Sequence, residues 1–298
     1  MARSESRTNR TIAVAGGDTD PNLQSLLLAL RRQKQRVLPL LTGASSAPTI
    51  TWELASDALC FDGTPIRPAA LFIRHDVFTN MSDGRPESAS RAYAWFTAIA
   101  SWAAAHPDVR LLNRHHNAQL LKPQQLVAAT ECGLEIPRTF ITNDRRTLEA
   151  LDVERSIAKP IGGGDYCRDL PSVLRETAWR GDAAAAPAIV QERLVPPELR
   201  IYRVGKRFLS FNIASDALDY RATNNVVVTP AANDPKLVKP LGRLMDLLQL
   251  DFGAADFKTS PKSGRYLFLE VNSSPMFAAF DAVSNLGVSK AISDHLRG

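Results

Sequence analysis

Short apolar runs alternate along the first third of the chain with segments whose apolar positions recur at helical spacing. Residues 11–15 (Thr-Ile-Ala-Val-Ala) read as a strand, and residues 22–35 as an amphipathic helix. Residues 37–41, 49–54 and 70–73 read as further strands. Residues 91–105 form a long apolar helix carrying Trp95, Phe96 and Trp102. Strand–helix alternation of this kind predicts a mainly parallel sheet covered by helices, an α/β lead domain over residues 1–112.

A different pattern starts near Asn113. Residues 119–132 read as a helix, with Gly133 at the position where a left-handed cap is favoured. Pro137 opens an extended segment, residues 147–151 a short helix, and residues 156–160 a strand that runs into Gly162-Gly-Gly164. Residues 181–188 read as a surface turn before a strand at 188–192. Strands follow at 199–204, 207–214 and 225–229, then a helix at 234–248. Residues 253–258 and 265–271 pair through a turn at Pro261, Ser263 and Gly264, and residues 285–296 form a last helix.

Composition narrows the class. The chain has 298 residues, 45% hydrophobic and 22% charged, as expected of a globular protein. No apolar run approaches the roughly 20 residues of a membrane span, and the first ten residues are polar and basic, so a cytoplasmic protein is expected. Cys60, Cys132 and Cys167 are odd in number and scattered, which fits reduced cysteines better than disulfides or zinc. The net charge of +5 is dispersed, so a nucleic-acid partner is disfavoured, while a basic cleft for a nucleotide would use the same charge.

Candidate chemistry gathers in the last two thirds. Asp256 and Glu270 fall on two strands joined by one turn, and Glu270 and Asn272 share a strand face. Two carboxylates and an amide oxygen make a hard-oxygen set that suits Mg²⁺ completed by phosphates and water. The alternative is a pair of solvated strand residues, but Glu270 sits among Leu267, Phe268, Leu269 and Val271, where a lone carboxylate is costly. Lys159 ends a strand and precedes three glycines, a weak phosphate signal that a flexible turn explains as well; it is neither a Walker loop nor a dinucleotide fingerprint. Gln191-Glu192 and Leu194 end a strand whose exposed backbone can read a base edge. Glu198 can accept from ribose hydroxyls, and Arg200 and Arg221 are either anion clamps or surface ion-pair partners. His115-His116 are adjacent and do not share a face, which argues against a metal pair.

In this order, the elements resemble the ATP-grasp superfamily, within it the ribosomal-protein glutamate ligase-like branch. The carrying motifs are Lys122 with Gly133-Leu-Glu-Ile-Pro-Arg-Thr139, Ala158-Lys-Pro160, Val190-Gln-Glu192, Glu198-Leu-Arg200, Asp219-Tyr-Arg-Ala-Thr-Asn224, Asp256, and Glu270-Val-Asn272 with Ser-Ser-Pro275. The resemblance implies α+β ATP-grasp lobes after the lead domain, a lid lobe over 113–192 and a catalytic lobe over 193–298, with the nucleotide cleft between two sheets. It implies ATP and Mg²⁺ (or Mn²⁺) as cofactors. Lys122 and Lys159 would bind the α- and β-phosphates, and Gln191, Glu192 and the backbone at Leu194 the adenine. Glu198 would take the ribose, Asp256, Glu270 and Asn272 the metal, and Arg200 and Arg221 the transferred phosphoryl group. The activity implied is carboxylate–amine or carboxylate–hydroxyl ligation through an acyl phosphate, on an amino acid or a peptide; an ATP-binding module without catalysis is the other reading.

The lid loop, Gly162-Gly-Gly-Asp-Tyr166, is shorter than the branch pattern and carries an acid. Pro275-Met-Phe-Ala-Ala-Phe-Asp281 departs from the glycine-bearing loop of glutamate-adding ligases and is similar to the aromatic, acidic loop of the microviridin-type ligases that cyclise ribosomal peptides. Arg74 and Asp76 stand at a strand's carboxyl end, where ligands collect in open α/β sheets. With Ser274 they are candidate substrate contacts, and a structural ion pair between Arg74 and Asp76 is the alternative. A homo-oligomer is compatible with this reading, and no membrane partner is expected.

Overall fold

The computed structural model describes residues 11–43, 48–116, 120–162, 166–215 and 226–298. The chain divides into two compact units. The first comprises Met1–His116, Val204–Arg207 and Ser274–Gly298, and the second Asn117–Arg203 and Phe208–Ser273.

The first unit carries β1 (Ile12–Gly17), α1 (Pro21–Arg32), β2 (Val37–Thr42), β3 (Ile50–Glu53), β4 (Ala58–Phe61), β5 (Thr64–Pro65), β6 (Ala70–Ile73), α2 (Phe78–Ser82), α3 (Pro86–Ala105) and β7 (Arg110–Leu111). The second carries α4 (Lys122–Glu131), β8 (Thr139–Asp144), α5 (Arg145–Glu149), β9 (Ser156–Pro160), β10 (Arg168–Asp169), α6 (Leu170–Glu176), β11 (Ala183–Glu192), β12 (Val195–Val204), β13 (Arg207–Ala214), β14 (Val227–Ala231), α7 (Pro235–Leu247), β15 (Phe252–Thr259) and β16 (Tyr266–Asn272). The chain then returns to the first unit with α8 (Ala278–Val283) and α9 (Gly287–Arg297).

The predicted parallel sheet is present in the first unit, in the order β2-β1-β6-β7 with every pairing parallel. Ala13 and Ala15 pack with Leu71, Ile99, Trp102 and Ala103, so one face of β1 lies under α3. The alternate residues Ile12 and Val14 point to the opposite face, against which α1 and α9 pack. Helix α3 starts five residues before its predicted apolar stretch, because Pro86 suits the first turn and the Asp83 carboxylate accepts from the Arg85 amide and the Ser88 hydroxyl.

His106 closes α3. Its Nδ1 lies 2.6 Å from the Trp102 carbonyl oxygen and its Nε2 2.7 Å from Asp57 Oδ2. Both partners are acceptors and the ring sits at the negative end of a helix, so this setting favours its protonated form. The Asp57 carboxylate, then the Trp102 carbonyl, raise its pKa above the ordinary histidine value against the opposing effect of burial. A group with a raised folded pKa stabilises fully below its unfolded pKa and loses that contribution as pH rises through the folded value. Stability to urea is therefore expected to fall as pH rises above the ordinary histidine value, and Asp57→Asn to reduce that slope. Denaturation at stepped pH checks it, and an unchanged slope in the variant would rule His106 out.

Among the described residues, the second unit has two sheets. The smaller is ordered β10-β9-β11-β8 and the larger β14-β13-β12-β15-β16. Each is apolar on one face. Ala158 and Val190 of the smaller sheet join Leu148 of α5 and Leu170 of α6. Leu199, Ile201, Ala255, Phe257, Phe268 and Val271 of the larger sheet join Leu126 of α4 and Leu241, Leu244 and Met245 of α7. The residues between them in sequence point away from the helices.

Gly133 caps α4 at φ +86°, and the Leu134 amide reaches back to the Ala129 carbonyl, the bonding expected of a left-handed cap. The reading of residues 181–188 as a turn is corrected. Strand β11 begins at Ala183 and pairs with β8, with an irregularity between Ala183 and Ala188 that absorbs the proline. Sequence periodicity also missed α6 and α8, both too short to show one.

Candidate functional site

The larger sheet's helix-averted face carries charge. Strand β12 presents Glu198 and Arg200, β15 presents Asp256 and Lys258, and β16 presents Glu270 and Asn272. Arg200 donates to both carboxylate oxygens of Asp256, Nε to Oδ1 and Nη2 to Oδ2, each at 2.7 Å. Asp256 is the register partner of Glu270, and Ala254 that of Asn272. Arg200, Asp256 and Glu270 thus form one row across three strands. Lys258 donates to Glu198 at 2.6 Å in a buried pair one step along.

Two further cations face this row. Lys122, the first residue of α4, sits 3.0 Å from Glu270 Oε2. Lys159 lies on β9 on the face averted from α6, close enough for Glu270, Lys122 and Asp256 to act on its charge. Burial lowers the Lys159 pKa, and Glu270 opposes the shift. For Glu270, burial pushes upward, but Lys122, Lys159 and a hydrogen bond with Asn272 outweigh it and hold the carboxyl below its ordinary value. The acid is therefore ionised and shared among ammonium groups.

Strand β11 hands the chain to β12 through Arg193 and Leu194. Gln191 is buried; its Nε2 donates to Thr139 Oγ1 at 2.9 Å, and its Oε1 has no hydrogen-bond partner among the described residues. Glu192 accepts from the Arg138 amide at 3.1 Å, and Leu194 is buried.

The structure therefore brings together Lys122, Lys159, Arg200, Asp256, Glu270 and Asn272, with Gln191, Glu192, Leu194 and Glu198 in the same unit. Arg221 and the stretch 219–224 lie outside the described residues, as do Gly163 and Gly164. Sequence reasoning missed Lys258, two residues from Asp256 on the same face, and Gln125, one helical turn after Lys122. Among the described residues no three of His, Cys, Asp and Glu converge on one point. Two carboxylates with one amide, beside three cations, instead suit a divalent metal that shares its shell with phosphate oxygens.

The substrate candidates Arg74, Asp76 and Ser274 belong to the first unit. Arg74 is 3% exposed, with Nε on Asp20 Oδ2 at 2.9 Å, Nη1 on the Pro275 carbonyl at 2.8 Å and its guanidinium over the Phe277 ring. Its carboxylate partner is Asp20 and not the expected Asp76; Asp20 also caps α1 through the Asn22 amide. Asp76 accepts from the Phe78 amide, and Ser274 is exposed.

No protein-family model matches the sequence, and no curated protein matches it. Solved structures do. The ATP-grasp ligase PsnB complexed with a minimal precursor superposes at a TM-score of 0.74 and 24% identity, over 97% of this chain and 98% of that one. The macrocyclase MdnC from Microcystis aeruginosa MRC, bound with precursor peptide MdnA, superposes at 0.70 and 19% identity, over 96% and 99%. The D-Ala:D-Ser ligase VanG from Enterococcus faecalis superposes at 0.59 and 15%, over 97% and 98%. The chain has the ATP-grasp fold over nearly its whole length. Among the described residues no helix is long and apolar enough to cross a membrane.

Proposed function

We propose that this protein is an ATP-dependent ligase that activates a carboxylate as an acyl phosphate and joins it to an amine, forming a carbon–nitrogen bond on a peptide. The observation that carries this reading is the row Arg200–Asp256–Glu270 faced by Lys122 and Lys159, a set of charges suited to a metal-bound polyphosphate. The fold supports it, and the peptide is favoured because PsnB and MdnC, both complexed with precursors, superpose better than VanG. Formation of a macrocycle on a ribosomal precursor is the form of this activity that the loop at residues 275–281 favours, and the cytoplasm is its expected location.

Each residue's part follows from its charge. Lys122 and Lys159 bind and orient the α- and β-phosphates. Gln191, Glu192 and the backbone at Leu194 hold the adenine, and Glu198 the ribose. Asp256, Glu270 and Asn272 would hold Mg²⁺, or Mn²⁺ in its place, and the ion would neutralise phosphate charge. Arg200 and Arg221 steady the transferred phosphoryl group. A substrate carboxylate oxygen bonds to the γ-phosphorus as the bond to the ADP oxygen breaks. The amine then bonds to the carbonyl carbon, phosphate leaves, and the amine loses a proton. Positioning and charge carry this chemistry, with no protein nucleophile. Residues 113–192 would act as the lid lobe and 193–298 as the catalytic lobe.

Purified protein with ATP and Mg²⁺ is expected to release ADP and phosphate only when a suitable acceptor is present, and a screen of amino acids, dipeptides and precursor peptides checks this. Release of AMP and pyrophosphate would refute the acyl phosphate. Turnover with free amino acids alone would refute the peptide.

A further inference from the structure

We infer that Gln125 is a positioning residue for the proposed metal ligands, an inference that rests on the assignment of Glu270 and Asn272 to the metal. Strand β16 is the edge of the larger sheet, and its pairing with β15 is irregular beside the site: Asp256 faces Glu270, but the next residue, Phe257, faces Phe268. Leu269 is therefore the extra residue of a bulge directly before Glu270. A bulge leaves its strand short of ladder bonds and re-aims the side chains beside it. The regular ladder alone does not hold Glu270 in orientation.

Helix α4 supplies the missing hold. The Val271 amide, between the two ligands, donates to Gln125 Oε1 at 2.7 Å, and the Phe268 amide donates to the Glu135 carbonyl at 2.8 Å. These bonds satisfy outward amides that an edge strand otherwise exposes. Gln125 is 2% exposed, and the Val271 side chain is locked in the core beside Leu126. With the amide and the side chain of Val271 both fixed, Glu270 and Asn272 are turned together to the charged face. Lys122, one turn earlier on α4, meets Glu270 there. One helix thus sets both the electrostatics and the aim of the ligand pair.

The test compares Gln125→Met, which removes the acceptor at similar volume, with Gln125→Glu, which keeps an oxygen in the same place. Two quantities are read: hydrogen exchange of the Val271 amide, and Mn²⁺ affinity in the presence of a non-hydrolysable ATP analogue, by electron paramagnetic resonance. Gln125→Met is expected to speed the exchange and weaken Mn²⁺ about 10–100-fold, the usual cost of losing a group that orients metal ligands. Gln125→Glu should recover most of the affinity, and binding of the analogue without metal should be unchanged. Should Gln125→Met not fold, Gln125→Asn, a methylene too short to reach the amide, carries the same expectation. The inference is overturned if Mn²⁺ affinity is unaffected, or if Gln125→Glu is as impaired as Gln125→Met. Glu270→Gln is the control: if wild type binds no Mn²⁺, or the control binds as wild type does, the metal assignment fails; if only the Gln125 variants behave like wild type, the positioning role fails alone.

Discussion

Replacing Glu270 by glutamine is expected to lower turnover about 10²–10³-fold or more, the scale on which a single charge-stabilising group acts in a water-poor site. The amide keeps the size of the side chain and removes its charge. In wild type that charge is ionised between Lys122 and Lys159, with Asp256 as its cross-strand neighbour. The variant loses a hard anionic oxygen for the metal and leaves two ammonium groups to repel one another. The fold is expected to survive, because Phe268 and Val271 still anchor the strand in the core. Stability should change its response to acid: a carboxylate held below its ordinary pKa stabilises above the unfolded value and loses that contribution as pH falls through the folded value. That acid-side loss should be smaller in the variant. Steady-state rates and thermal shifts with and without Mg²⁺–ATP check both parts, and a fully active variant would sink the metal assignment.

Arg74→Met is expected to destabilise the first unit by about 3–5 kcal/mol, the cost of removing one partner of a buried ion pair. Asp20 is fully buried and would be left with only the Asn22 donors. The Pro275 carbonyl would lose a donor as well. Adding Asp20→Asn should restore much of the loss, since the stranded charge is then gone. Chemical denaturation of the single and double variants measures it. A substrate-contacting arginine would behave otherwise: its loss would raise KM and leave stability nearly unmoved.

Arg74 also shows how far the sequence was legible. Its place at a strand's carboxyl end was readable, but its partner was not, since Asp20 stands 54 positions away and meets it only across two parallel strand ends. The same holds for Glu198 and Lys258, 60 positions apart. The pairing of Asp256 with Glu270 could be foreseen, because one short turn joins their strands. The bulge after Asp256 could not.

What the sequence by itself determined is most of the longer elements and the faces of their strands. Periodicity is local, and alternation along residues 198–201 or 254–258 already separates a helix-packed side from a charged one. The tertiary structure decided which charges meet: the row Arg200–Asp256–Glu270, the reach of Lys122 from α4, and the hold of Gln125 on Val271. Those depend on strand order, register and one extra residue at a sheet edge, none of which is encoded within a single element.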